Sequence, residues 1–67
     1  MRIERYMGET RRYLANGLVV LEDHHGFTVV QPGGDVRADG ISLARLVGDC
    51  STLAEAMELA QNGNADR

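Results

Sequence analysis

The chain has 67 residues, a formal net charge of −3, one cysteine and no tryptophan. A chain of this length buries only about 60% of the surface its unfolded form exposes, so one small domain is expected and its stability is marginal. One cysteine excludes an internal disulfide, and no Cys/His set has zinc-finger spacing. Association with a copy of itself or with a protein partner is therefore the expected supplement.

The opening "MRIERYMGET" is charged from its second residue and holds no apolar run. It is not expected to be a signal peptide or a membrane anchor. A reducing, cytoplasmic location fits the lone thiol. Ile3, Tyr6, Met7, Thr10, Tyr13 and Leu14 fall at helical intervals, and "LANG" resembles a helix C-terminus. Gly8 opposes that reading, costing about 1 kcal/mol in a helix interior relative to alanine. The segment reads as helix or as hairpin, with helix preferred.

This segment is also the basic end of the chain. Residues 1–13 carry four arginines against two glutamates, a net +2, and residues 14–67 carry eight acids against three arginines, a net −5. Arg2, Arg5, Arg11 and Arg12 beside Tyr6 and Tyr13 are the best cue for nucleic acid, since arginine neutralises phosphate and tyrosine stacks on bases. The acidic whole, with a pI near 5.1, argues against it.

"LVVLE" and "FTVVQ" are rich in β-branched and aromatic residues and predict a hairpin. Asp23-His24-His25-Gly26 fits a three-residue loop, a type I turn followed by a left-handed glycine. That loop sets Leu21 opposite Val29 on one face and Val20 opposite Val30 on the other. Both faces are then apolar at mid-ribbon, and a single helix can cover only one. Adjacent histidines in a turn diverge, so His24 and His25 are expected to bend the chain rather than hold a metal.

Pro32-Gly33-Gly34 and Asp39-Gly40 read as turns. "DVRADGISLARL" begins like a calcium loop but has Arg37 and Leu46 where oxygen ligands are needed. "PGGD" lacks the Lys-Ser/Thr of a phosphate loop. "ISLARLVGD" alternates Ile41, Leu43, Arg45 and Val47 against Ser42, Ala44, Leu46 and Gly48, which predicts a third strand. Cys50 is expected to be a small apolar filler.

In "STLAEAMELAQNG", Thr52 with Glu55 makes a capping box, and Leu53, Ala56, Met57 and Ala60 form one apolar stripe. Asn62-Gly63 is expected to supply a left-handed residue at the helix end. Asp35, Asp39, Asp49, Glu55 and Glu58 would mimic nucleic acid only if they share a face.

Residues 1–67 thus read as a single α+β domain: an N-terminal segment over 1–15, a β-meander of about three strands over 18–48, and a C-terminal helix over 52–62 across one face. No catalytic set, cofactor site, small-molecule substrate or membrane contact is expected. The expected function is steric, as a homodimer or docked on a larger protein, through Leu21, Phe27, Val29, Tyr6 and Tyr13. Size and the absence of chemistry suggest a phage or plasmid accessory inhibitor, of which anti-CRISPR proteins are one kind, though no motif carries this. The alternative is a small DNA-binding regulator using the sheet or the four N-terminal arginines.

Overall fold

A computed structural model describes the backbone of residues 1–37 and 40–63, and the side chains of residues 1–33 and 45–63. The expected Asp39-Gly40 turn, and the side chains of Asp35 and Arg37, lie outside what is described. The fold is α+β, with five strands rather than about three. Strands β1 (Arg2–Tyr6), β2 (Glu9–Tyr13), β3 (Val19–Asp23), β4 (Gly26–Arg37) and β5 (Gly40–Cys50) precede helix α1 (Leu53–Asn62). They form one antiparallel sheet in sequence order, β1-β2-β3-β4-β5.

The N-terminal segment is a hairpin, which corrects the preference for helix. Met7 and Gly8 have φ of 50° and 83°, and Tyr6 pairs with Glu9 across them. Positive φ at both positions defines a type I′ turn, whose twist suits a two-residue hairpin. The helical spacing in this stretch is accidental, because Gly8 pays no steric penalty at positive φ and ends any helix there.

"LANG" is likewise a turn and not a helix end. Leu14 N–H donates to Leu18 O at 2.9 Å, and Gly17 N–H donates to Leu14 O at 3.1 Å. Gly17 has φ 95°, so Ala15, Asn16 and Gly17 form the three-residue loop that had been expected at the histidines. At the histidines the loop is shorter. Asp23 pairs with Gly26, and Asp23 Oδ1 accepts the His25 N–H at 2.8 Å. The register moves by one residue: Val20 pairs with Val29, Val19 with Val30, and Leu21 with Thr28.

The expected break at Pro32-Gly33-Gly34 is an irregular stretch inside β4. Register shifts fall at Val29/Val30, Gln31/Pro32 and Pro32/Val36. Pro32 lies beyond Val30, the last residue of β4 that β3 reaches, where an absent N–H costs no bond to β3. Opposite Val29 and Val30, β5 carries the extra residue Val47 between Gly48 and Leu46. This bulge puts Val47 and Gly48 on the same side and turns Leu46 to the other.

Helix α1 lies across β3, β4 and β5. Thr52 caps it: Glu55 N–H donates to Thr52 Oγ1, and the Thr52 hydroxyl donates to Glu55 Oε1, both at 3.1 Å. Ala56 and Ala60 are buried, Met57 and Leu59 are half-buried, and Leu53 is exposed, so Leu59 replaces Leu53 in the expected stripe. Gly63 is extended (φ −74°, ψ 156°), not left-handed, and its N–H donates to Leu59 O at 2.8 Å. A Cβ there would stand 3.1 Å from both Leu18 Cδ1 and Leu59 O, which is the reason for glycine.

Leu18, Val20, Val29, Ala56 and Ala60 form the core between sheet and helix, each with no accessible surface. Asn16 ties the layers together. Its Nδ2 donates to Ala60 O at 2.8 Å while its Oδ1 accepts the Leu18 N–H at 3.0 Å.

Candidate functional site

Cross-strand partners share a face, so the register sorts the sheet into two surfaces. The helix side carries Ile3, Arg12, Val20, Val29 and Gly48 in one row, and Arg5, Thr10, Glu22, Phe27 and Cys50 in the next. The opposite, helix-free face carries Arg2, Tyr13, Val19, Val30 and Leu46, then Glu4, Arg11, Leu21, Thr28 and Asp49, with Tyr6 and Glu9 at one end.

The five expected contact residues divide between these surfaces. Val29 is buried beneath the helix, and Phe27 is half-buried on the helix side, packed against the core. The one-residue change in register is the cause, since it places Val29 with Val20. Leu21, Tyr6 and Tyr13 lie together on the helix-free face, with Leu21 and Tyr13 half-buried and Tyr6 exposed. The mid-ribbon valines are covered on both sides: Val19 and Val30 are as buried as Val20 and Val29. An open apolar ribbon face is therefore not what the fold offers.

The helix-free face offers an ordered array of tyrosine, arginine and carboxylate. Tyr13 OH donates to Glu4 Oε1 at 2.8 Å, and the Arg2 guanidinium sits 4.2 Å from the centre of the Tyr13 ring. The Arg11 guanidinium lies 5.9 Å from the Tyr6 ring centre and bonds Glu9 Oε1 through Nε at 2.6 Å. Its hydrogen bond to Glu9, aided by Tyr13, raises the Arg11 pKa further against the opposing effect of burial. Arg11 is a buried, permanently charged strut for the two tyrosines. At the other end of the face, Leu46 is 56% exposed. Strict alternation along β5 groups Leu46 with Gly48 and so hides this residue; the bulge at Val47 is what separates them.

The four N-terminal arginines do not form one basic surface. Arg2 and Arg11 lie on the helix-free face, and Arg5 and Arg12 on the helix side. Arg12 Nη1 is bound to Glu22 Oε1 at 2.6 Å. The acids are divided too: Asp49 is on the helix-free face, hydrogen-bonded to the Thr28 hydroxyl at 2.9 Å, whereas Glu55 and Glu58 are on the helix.

His24 and His25 are both exposed, but their rings do not diverge as expected: the centres lie 3.9 Å apart. Among the described residues, no three His, Cys, Asp or Glu side chains come together to hold a metal. His25 and Cys50, 25 positions apart in sequence, line one hollow of about 180 Å³ with Asp23 and Asp49. Sequence distance concealed that proximity; only the β3–β4 and β4–β5 pairings create it. Cys50 is half-buried against the core, as a small apolar side chain would be.

Fold and site together define a small α+β protein with a five-stranded antiparallel meander, one covering helix and a tyrosine- and arginine-bearing open face. Among the described residues, no helix is long and apolar enough to cross a membrane. The chain matches no protein-family model, no curated protein and no solved structure.

Proposed function

We propose that this chain is a non-catalytic protein-interaction module that acts by steric contact, within a homodimer or on a larger protein partner. The observation that carries this reading is the helix-free face, where Tyr6 and Tyr13 are held by Arg11, Arg2 and Glu4 and where Leu46 stands exposed. Tyrosine and arginine are among the residues most enriched in contact hot spots, and side chains already fixed in place lose little freedom on binding. Leu21, Tyr6, Tyr13 and Leu46 make the contact surface around the buried Val19 and Val30, with Asp49 and Glu4 at its rim.

The test is affinity capture from the native host lysate with the intact chain and with Leu46→Glu. Because Leu46 is exposed, this substitution leaves the melting temperature within a few degrees and abolishes capture of the specific partner. Equal capture by both proteins removes the helix-free face from the proposal. An intact chain that recovers nothing and sediments as a monomer removes the interaction role itself.

A further inference from the structure

The sheet has two edges, and they differ. The edge at β5 is broken by the bulge at Val47, and its pairing with β4 is irregular beyond Val30. Bulges of this kind blunt an edge against further pairing. The edge at β1 is regular. Its five residues pair with β2 without a shift, and all five are exposed. It carries neither proline nor a bulge, and its charged residues Arg2, Glu4 and Arg5 are of both signs, so they repel some registers and pair in others.

The backbone of β1 fixes which groups face outward. Tyr6 and Glu9 flank a two-residue type I′ turn, so they exchange both of their hydrogen bonds. Alternation then directs the N–H and C=O of Tyr6, Glu4 and Arg2 toward β2. Those of Ile3 and Arg5 point to the open edge.

We infer that a second copy of this chain pairs antiparallel with β1, about a twofold axis through Ile3, to make one continuous ten-stranded sheet. The homodimer arm of the interaction reading is all this rests on; the helix-free face stays free in the assembly. Three symmetric registers join outward-facing groups to outward-facing groups, and side-chain chemistry separates them. An axis at Glu4 sets the two Glu4 carboxylates directly opposite each other at the closest type of cross-strand pair. An axis at Arg5 does the same to two guanidiniums at a hydrogen-bonded pair. The axis at Ile3 places Ile3 against Ile3 of the second copy and Arg2 against Glu4 of the second copy, twice by symmetry.

The side chains are ready for that register. Ile3 is 45% exposed on the helix side of the sheet, where the pair would share apolar surface. Arg2 and Glu4 project from the helix-free face, both steadied by Tyr13, one under its ring and one at its hydroxyl. Exposed ion pairs contribute little to affinity but penalise the wrong register, so charge sets the alignment and backbone bonds hold it. So short an interface belongs to the weak, reversible class.

Sedimentation of the intact chain across concentrations up to about 1 mM, the weakest useful affinity, tests the inference. The intact chain should show a concentration-dependent dimer. Ile3→Lys, which sets two ammonium groups at the axis, should remove it, and Glu4→Arg should weaken it about tenfold. Arg2→Glu combined with Glu4→Arg should restore it, which a merely damaged fold cannot do. A chain that stays monomeric to 1 mM overturns the inference and leaves the Leu46 surface standing. A dimer indifferent to these β1 substitutions but lost in Leu46→Glu overturns it as well and assigns the dimer to the other face.

Discussion

The β3–β4–β5 portion with its helix and the β1–β2 hairpin belong to one sheet but are held by different forces. In the first, Leu18, Val20, Val29, Ala56 and Ala60 are wholly removed from water. In the second, every residue of β1 is exposed, and the joints are Arg12 to Glu22, Arg11 to Glu9 and Tyr13 to Glu4. Apolar burial contributes about 25 cal/mol per Å² and is not screened by salt, whereas each of these part-buried or exposed polar joints contributes on the order of 1 kcal/mol. The hydrophobic layer therefore sets global stability, and the hairpin opens at lower cost.

The largest effect that separates the two regions is truncation at matched chemistry. Leu18→Ala should lose about 2–5 kcal/mol in denaturant unfolding, because it empties the core. Ile3→Ala, on the exposed edge, should lose less than about 1 kcal/mol at concentrations where the chain is monomeric. Similar losses at both positions would erase the distinction.

The joint between the layers comes next. Asn16→Ala removes the donor to Ala60 O and the acceptor for Leu18 N–H, and should cost about 1–2 kcal/mol in the same measurement. Amide exchange should then rise in the last turn of α1 before it rises in β4.

The smallest effect runs the other way. Met7 holds φ 50° with its side chain 87% exposed, a conformation that costs an ordinary residue roughly 1 kcal/mol. Met7→Asn creates the Asn-Gly pair that type I′ turns favour and should raise stability by up to about 1 kcal/mol, read as a higher melting temperature. No gain would mean that the strain in this turn is relieved elsewhere.

What was legible in the sequence follows the range of each signal. The Thr52–Glu55 cap and the β-branched runs on either side of the histidines act between near neighbours, and the helix and the hairpin stand where those residues placed them. The register did not, because Asp-x-x-Gly closes loops of two or three residues equally well, and one residue is enough to move Val29 from an outer surface to the core. The N-terminal hairpin was hidden by a chance helical spacing of Ile3, Tyr6 and Tyr13, although Gly8 marked its turn. The placing of Tyr6 and Tyr13 on the helix-free face needed the β1–β2 hairpin, and only Leu21 was legible there from the ribbon alone. Leu46 was not, since a bulge changes the parity of a strand without any residue type that announces it.

Asn16 gives the fold a temporal order. Its amide joins a loop near one end of the sheet to carbonyl oxygens at Ala60 and Gly63, 44 and 47 positions away. The sheet can zip strand by strand as neighbouring hairpins meet, each closure being local. Its lid cannot latch until the last turn of α1 is in place, so a chain folding from its N-terminal side carries Leu18 and Val20 uncovered until α1 docks.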